Sequence, residues 1–168
     1  TPGATGRYEL PGGLGYLVAT VPPLAMPSVQ HEDPLSGRRI PLHLASDGVI
    51  DVALLELFLR LAGEGSLLVV EEPEIHKSPP LLLDLAARVA EAAKGRNLTV
   101  VMTTHSELVP LGLAKMVEAG RLEPEDVAIY RLERGKDSPW ARVRELKVYR
   151  DGTVEELPEV EEVVARLF

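Results

Sequence analysis

With 168 residues, 45% apolar and 26% charged, the chain is long enough to bury one core and has the balance of an ordinary soluble globular domain. A net charge of −8 works against non-specific nucleic-acid binding by the average surface, and the absence of cysteine excludes disulfides and thiolate metal sites. No apolar run approaches membrane-spanning length and no signal peptide is visible, so a cytoplasmic location without a membrane partner is expected. Asn97 and Gln30 are the only side-chain amides, while Glu, Arg and Pro are plentiful, a composition that fits a thermophilic source. Thr1 to Gly6 are turn formers without an initiating methionine, which reads as part of a longer protein.

In chain order, Tyr16 to Val21 (YLVATV) predicts a strand, entered through the Gly-rich turn Pro11–Gly15 and stopped by Pro22-Pro23. Pro22 to Arg39 is rich in proline, glycine and charge and reads as loop. Ile40 to Leu44 reads as a short extended lead-in. Val49 to Ala62 is apolar on nearly every face, broken by Asp51, Glu56 and Arg60, which predicts a largely buried helix ended by Gly63 and Gly65. Ser66 to Val70 is a wholly apolar strand, the pattern of a sheet covered on both faces. Ser78-Pro79 starts a helix whose apolar positions Leu81, Leu82, Leu85, Val89 and Ala92 recur at helical spacing up to Gly95. Leu98 to Met102 is the next strand. Ser106 can cap a helix running to Gly120 with Pro110 in or near its first turn. Val127 to Leu132 and Ala141 to Tyr149 read as strands, Arg150 to Thr153 as a turn, and Val160 to Phe168 as a terminal helix. Alternating strands and helices predict one α/β domain over residues 1–168. Its sheet is expected to be mainly parallel, flanked by helices, with a carboxyl-terminal antiparallel strand pair.

The chemistry concentrates at two strand ends. Leu67 to Val70 runs into Glu71-Glu72, and Leu98 to Met102 runs into Thr103-Thr104-His105. Successive side chains on a strand alternate in direction, so one carboxylate can serve a hydrated metal ion while its neighbour faces a reacting centre. The plainer reading is a solvated acidic turn after a core strand. His105 can donate to a phosphate oxygen, or it is a loop histidine. Ser46-Asp47-Gly48 opens a helix, where exposed amides and the dipole favour an anion; the plainer reading is an ordinary cap.

Taken together and in this order, these motifs resemble the carboxyl-terminal lobe of an ABC-type ATPase head. Within that group the resemblance is to the RecF/SMC-like and OLD-type AAA ATPases, which have a P-loop NTPase-like fold. Leu44 to Gly48 resembles the signature motif, Leu67 to Glu72 the Walker B strand, Glu74 to Pro79 the D-loop region, and Thr104-His105-Ser106 the switch-histidine motif. Val148 to Pro158 resembles the tail of these proteins, so the resemblance covers residues 40–158. Lys77 and Ser78 depart from the E-x-H-L-H-P form of the group. A larger departure is that no G-x-x-x-x-G-K-[ST] phosphate loop occurs in the chain; Gly3 to Arg7 is only an echo of one.

The resemblance implies ATP and Mg²⁺ as cofactors in the complete protein. Two heads would form a homodimer around two nucleotides, and a P-loop-bearing amino-terminal lobe would complete each head. It implies Glu71 as the residue supporting Mg²⁺ through water, Glu72 as the water-activating glutamate, and His105 as a γ-phosphate contact. Ser46, Asp47 and Gly48 would meet the nucleotide of the opposite head. Two other readings stand beside it. One is a non-catalytic interaction or dimerisation module that docks on a complete ATPase. The other is a metal-dependent hydrolase built from Glu71, Glu72, His76 and His105, although their spacing matches no compact metal motif. Arg38-Arg39 and the Arg131–Arg150 region, with Arg134, Lys136, Arg142, Arg144 and Lys147, are locally basic. They read as nucleic-acid contacts or, better supported by the acidic total, as alternating charges on edge strands.

Overall fold

A computed structural model of the chain describes residues 4–22, 26–134 and 140–157. The expected terminal helix at 160–168 and Lys136 lie outside the described residues.

The amino-terminal part departs most from the sequence expectation. Strands β1 (Ala4–Glu9), β2 (Tyr16–Val21), β3 (Ser28–Glu32) and β4 (Arg39–Pro41) form a four-stranded sheet in that order, antiparallel throughout. Ala4 to Gly6, read as turn formers, and Ser28 to Glu32, read as loop, therefore belong to strands. Both segments gain strand structure by pairing with β2, which supplies the strong apolar pattern on which they build. Their connections are too short for a crossover helix, which leaves only antiparallel pairing. A 3₁₀ turn at Pro11–Gly13 joins β1 to β2, closed by the Leu10 N–H donating to the Gly15 carbonyl at 2.8 Å. Gly15 has φ +93°, and a Cβ there would stand 2.2 Å from the Glu32 carbonyl oxygen, so only glycine fits. The sheet is cross-linked by Glu32, 8% exposed, whose carboxylate accepts from Arg7 Nη2 at 2.6 Å and Arg39 Nε at 2.7 Å. The Arg7 guanidinium also lies 3.4 Å from the centroid of the Tyr16 ring.

Helix α1 (Asp47–Leu61) follows a 3₁₀ turn at Leu42–Leu44, where the sequence suggested extended chain. Ser46 occupies the N-cap in extended backbone, and the Ile50 N–H donates to its carbonyl at 3.0 Å. The helix packs Val49, Val52 and Ala53 beneath Leu10, Leu17 and Leu81, and Leu55 and Leu59 beneath Leu85, Val89 and Leu98. It is less buried than its composition implies: Leu54, Phe58 and Leu61 are 44%, 59% and 77% exposed. Glu56, only 3% exposed, is balanced by Arg88 Nη2 at 2.7 Å and Arg60 at 3.4 Å. Arg96 donates to the carbonyls of Leu59, Arg60 and Ala62, satisfying acceptors left open at the carboxyl end of α1.

Strand β5 (Leu67–Glu71), helix α2 (Pro79–Gly95) and strand β6 (Thr99–Thr103) form the expected parallel βαβ unit, with Leu67 beside Thr99 and Glu71 beside Thr103. Leu68, Val70, Val100 and Met102 pack on the α1–α2 core. On the other face Leu67, Val69 and Val101 are exposed by 63%, 60% and 48%. Among the described residues one helical layer lies against this sheet, so the expected cover on both faces is not met there. Among the described residues, parallel pairing is confined to β5 and β6, so the sheets are mixed rather than mainly parallel.

Helix α3 (Leu108–Glu118) carries Pro110 in its first turn, as its sequence requires. It begins two residues after Ser106, whose hydroxyl still accepts from the Leu108 N–H at 3.3 Å. The expected antiparallel pair is present as β7 (Ile129–Arg134) and β8 (Ala141–Leu146). A bridge between Val148 and Val154 closes the turn that follows and seats Val154 and Leu146 on Ala114.

Candidate functional site

The parallel pair delivers Glu71, Glu72 and His105 to one edge. Glu71 is the last ladder residue of β5 and continues the alternation that exposes Leu67 and Val69. Glu72 leaves the ladder with φ +46°, a left-handed conformation uncommon outside glycine, while its N–H donates to the Thr103 carbonyl at 2.9 Å. Glu72 Oε1 lies 3.7 Å from His105 Nε2. His76 also has positive φ, at 59°, so the loop joining β5 to α2 bends sharply at both ends. Strained backbone of this kind is kept where the surroundings over-determine it, often at functional sites.

That loop is tied to its neighbours on two sides. Toward β6, Glu74 Oε1 accepts the His105 N–H at 2.6 Å. Toward α1, a Cβ on Gly48 would stand 2.6 Å from the His76 carbonyl oxygen, so the helix start and the loop touch backbone to backbone. Asp51, one turn further along α1, lies 3.4 Å from both His76 Nδ1 and Lys77 Nζ. The Lys77 ammonium also donates to the Ile75 carbonyl at 2.8 Å. Lys77, a departure in the sequence motif, thus has a definite place: it fastens the loop to the helix that begins at Ser46-Asp47-Gly48.

Ser46 itself faces a different space. It lines an open cavity of about 320 Å³ together with His31, Asp33, Ser36, Arg38 and Val49. Its hydroxyl makes no capping bond to the helix. Gly48 is thus joined to the acidic loop through His76, whereas Ser46 opens toward the β3–β4 hairpin. Sequence reasoning passed over Glu74 and Asp51 as site-forming residues. A third carboxylate in Glu71-Glu72-Pro73-Glu74 was the available signal for the first; Asp51 carried none.

The hydrolase reading from Glu71, Glu72, His76 and His105 fails on geometry, since no group of three His, Asp or Glu side chains among the described residues is placed to hold a metal ion. The donors that are present suit Mg²⁺ better, because that ion keeps several waters and takes only one or two protein carboxylates beside substrate phosphates. In the basic region Arg131 and Arg144 both bind Glu156, and Arg150 lies 3.4 Å from Glu123. This is the alternating-charge arrangement of edge strands. Among the described residues no helix is long and apolar enough to cross a membrane.

The fold is thus an α/β domain whose parallel βαβ unit carries carboxylates at one strand end and a histidine at the next. Residues 7–111 match the family described as AAA domain, putative AbiEii toxin, Type IV TA system, and the chain belongs to that family. Membership gives the chain an AAA-type, P-loop NTPase-like fold. The match takes in the antiparallel sheet that the sequence resemblance omitted, and it ends before β7 and β8. Protein ea59 of Escherichia phage lambda is 31% identical over 68 residues, which are 40% of this chain. The aligned part spans only 13% of the length of that relative. A solved chain from a study of ATP-driven dimerization and DNA-stimulated activation of SMC ATPases aligns with TM-score 0.47 and 10% identity. That alignment covers 91% of this chain and 73% of the other.

Proposed function

We propose that the chain supplies the acid-bearing half of an ATPase head, acting in a dimer whose heads enclose ATP between them. The observation that carries this reading is the convergence of Glu72 and His105, 3.7 Å apart, at the carboxyl edge of the parallel pair, with Glu71 on the adjoining residue. Glu72 orients and deprotonates the attacking water, and His105 donates to the γ-phosphate. Glu71 is the residue that would hold Mg²⁺, which when bound neutralises charge on the phosphates. Ser46, Asp47 and Gly48 meet the nucleotide held by the opposite head, where the amino end of α1 favours negative charge.

The chain contains no phosphate-gripping loop, so the reading requires a P-loop-bearing lobe as partner. The exposed apolar face of Leu67, Val69 and Val101 supports such a completion, because parallel sheets are stable with both faces covered. The test combines the chain with a P-loop-bearing amino-terminal lobe and compares ATP turnover of wild type with Glu72→Gln. A fall of about 10²-fold or more is expected, the usual scale for a lost general base. Unchanged turnover would remove Glu72 from its role.

A further inference from the structure

Glu74 takes no part in the scheme above, yet it is the most constrained carboxylate at the site. Hydrogen bonds from two N–H groups tie the end of β5 and its loop to the end of β6 and its loop. One is an extension of the ladder, from the Glu72 N–H to the Thr103 carbonyl at 2.9 Å. The other is made by a side chain, with Glu74 Oε1 accepting the His105 N–H at 2.6 Å. That length is typical of the stronger bonds made when the acceptor is ionised. Burial works against the charged form of Glu74. The amides of His105 and Glu74, and the Thr104 hydroxyl, outweigh it and hold the carboxyl below its ordinary value. Glu74 Oε2 is, among the described residues, the buried side-chain polar atom with no hydrogen-bond partner. Burying a carboxylate with one oxygen unmatched is unfavourable. Packing alone does not account for it, whereas a bond from Oε1 to a specific amide does.

His105 needs such an anchor. Its side chain is 87% exposed, and its contact with Glu72 is a 3.7 Å approach rather than a hydrogen bond. Its position beside Glu72 is therefore set through its backbone. We propose that Glu74 is a positioning residue for His105: by accepting the His105 N–H it locks the loop after β6 to the loop after β5 and so holds the imidazole beside Glu72. The partner choice of His105 rests on the function proposed above, but the anchor does not. Glu72 and His105 are then displaced together or not at all, because both loops move as one piece.

The test reads the anchor directly by NMR on the ¹⁵N-labelled chain, with Glu74→Ala and Glu74→Gln. In wild type the His105 amide proton is expected downfield and protected from solvent exchange. Glu74→Ala should move it upfield and speed its exchange about 10- to 100-fold, the range for losing a hydrogen bond to a charged acceptor. The α2 amides of Leu85 and Val89 should keep their protection. Glu74→Gln retains an acceptor oxygen, so it should restore most of the protection while shifting the resonance upfield as the acceptor becomes neutral. A His105 amide unchanged in Glu74→Ala overturns the proposal. If Glu74→Ala does not fold, Glu74→Gln decides: an unmoved or unprotected His105 amide overturns it. ATP turnover enters none of these readouts, so failure here leaves the Glu72→Gln result standing, and the converse holds.

Discussion

Lys77 shows how a residue that breaks a motif can find a structural use. Its side chain is 4% exposed, and its ammonium is matched by the Ile75 carbonyl at 2.8 Å and Asp51 at 3.4 Å. Asp51→Ala leaves a buried cation with a single carbonyl, and a loss of about 1–3 kcal/mol is expected in urea unfolding. Lys77→Met keeps most of the stem and removes the charge, so it should lie within about 1 kcal/mol of wild type. A Lys77→Met variant weaker than Asp51→Ala would show that the ammonium, rather than its desolvation, carries the attachment. The placement of Glu71, Glu72 and His105 at strand ends was legible because an apolar run ending in a polar group marks a strand end. Glu72's left-handed backbone and the Glu74–His105 bond were not, since both depend on where the neighbouring strand ends.

At the scale of elements, helix caps and apolar spacing placed α1, α2 and α3 to within a few residues. What sequence could not show is how closely two helices approach. Gly112 on α3 faces Ala86 on α2, and a Cβ there would stand 2.8 Å from the alanine Cβ. Gly112→Val should therefore push α3 off α2 and cost about 1–3 kcal/mol. Ala86→Gly in the same chain should recover part of that loss, measured as a partial return of the unfolding midpoint. No recovery would place the strain elsewhere. Strands β1 and β3 escaped the sequence reading for the opposite reason. Each is polar or glycine-bearing along much of its length, so local pattern is weak and the ladder to β2 decides.

At the scale of the whole molecule, acid should weaken the fold. Hydrogen bonds from Arg7 and Arg39 outweigh burial and hold the Glu32 carboxyl below its ordinary value. Asp33, Glu74, Asp126 and Asp151 are shifted the same way, each by hydrogen bonds to its charged form that outweigh burial. A carboxyl with a lowered folded-state pKa binds its proton more readily when unfolded. Its contribution is complete above the unfolded value, about 4.3 for glutamate, and is lost as pH falls through the folded value. Unfolding midpoints should thus hold near neutral pH and decline below about pH 4.5. Glu32→Gln should lower the midpoint at neutral pH and flatten that decline, leaving the slope of the other carboxyls. An equal slope in the variant would show that the Arg7–Glu32–Arg39 cluster does not contribute.

By itself the sequence determined the βαβ unit, its two polar strand ends and the ATPase-type family, because these depend on local apolar period, caps and short motifs. Tertiary structure alone decided the antiparallel sheet at the amino end, the exposed apolar face of β5 and β6, and the hydrogen bond between Glu74 and the His105 amide. Each of these is a pairing or its absence between segments distant in the chain, and composition along one segment does not say what lies against it.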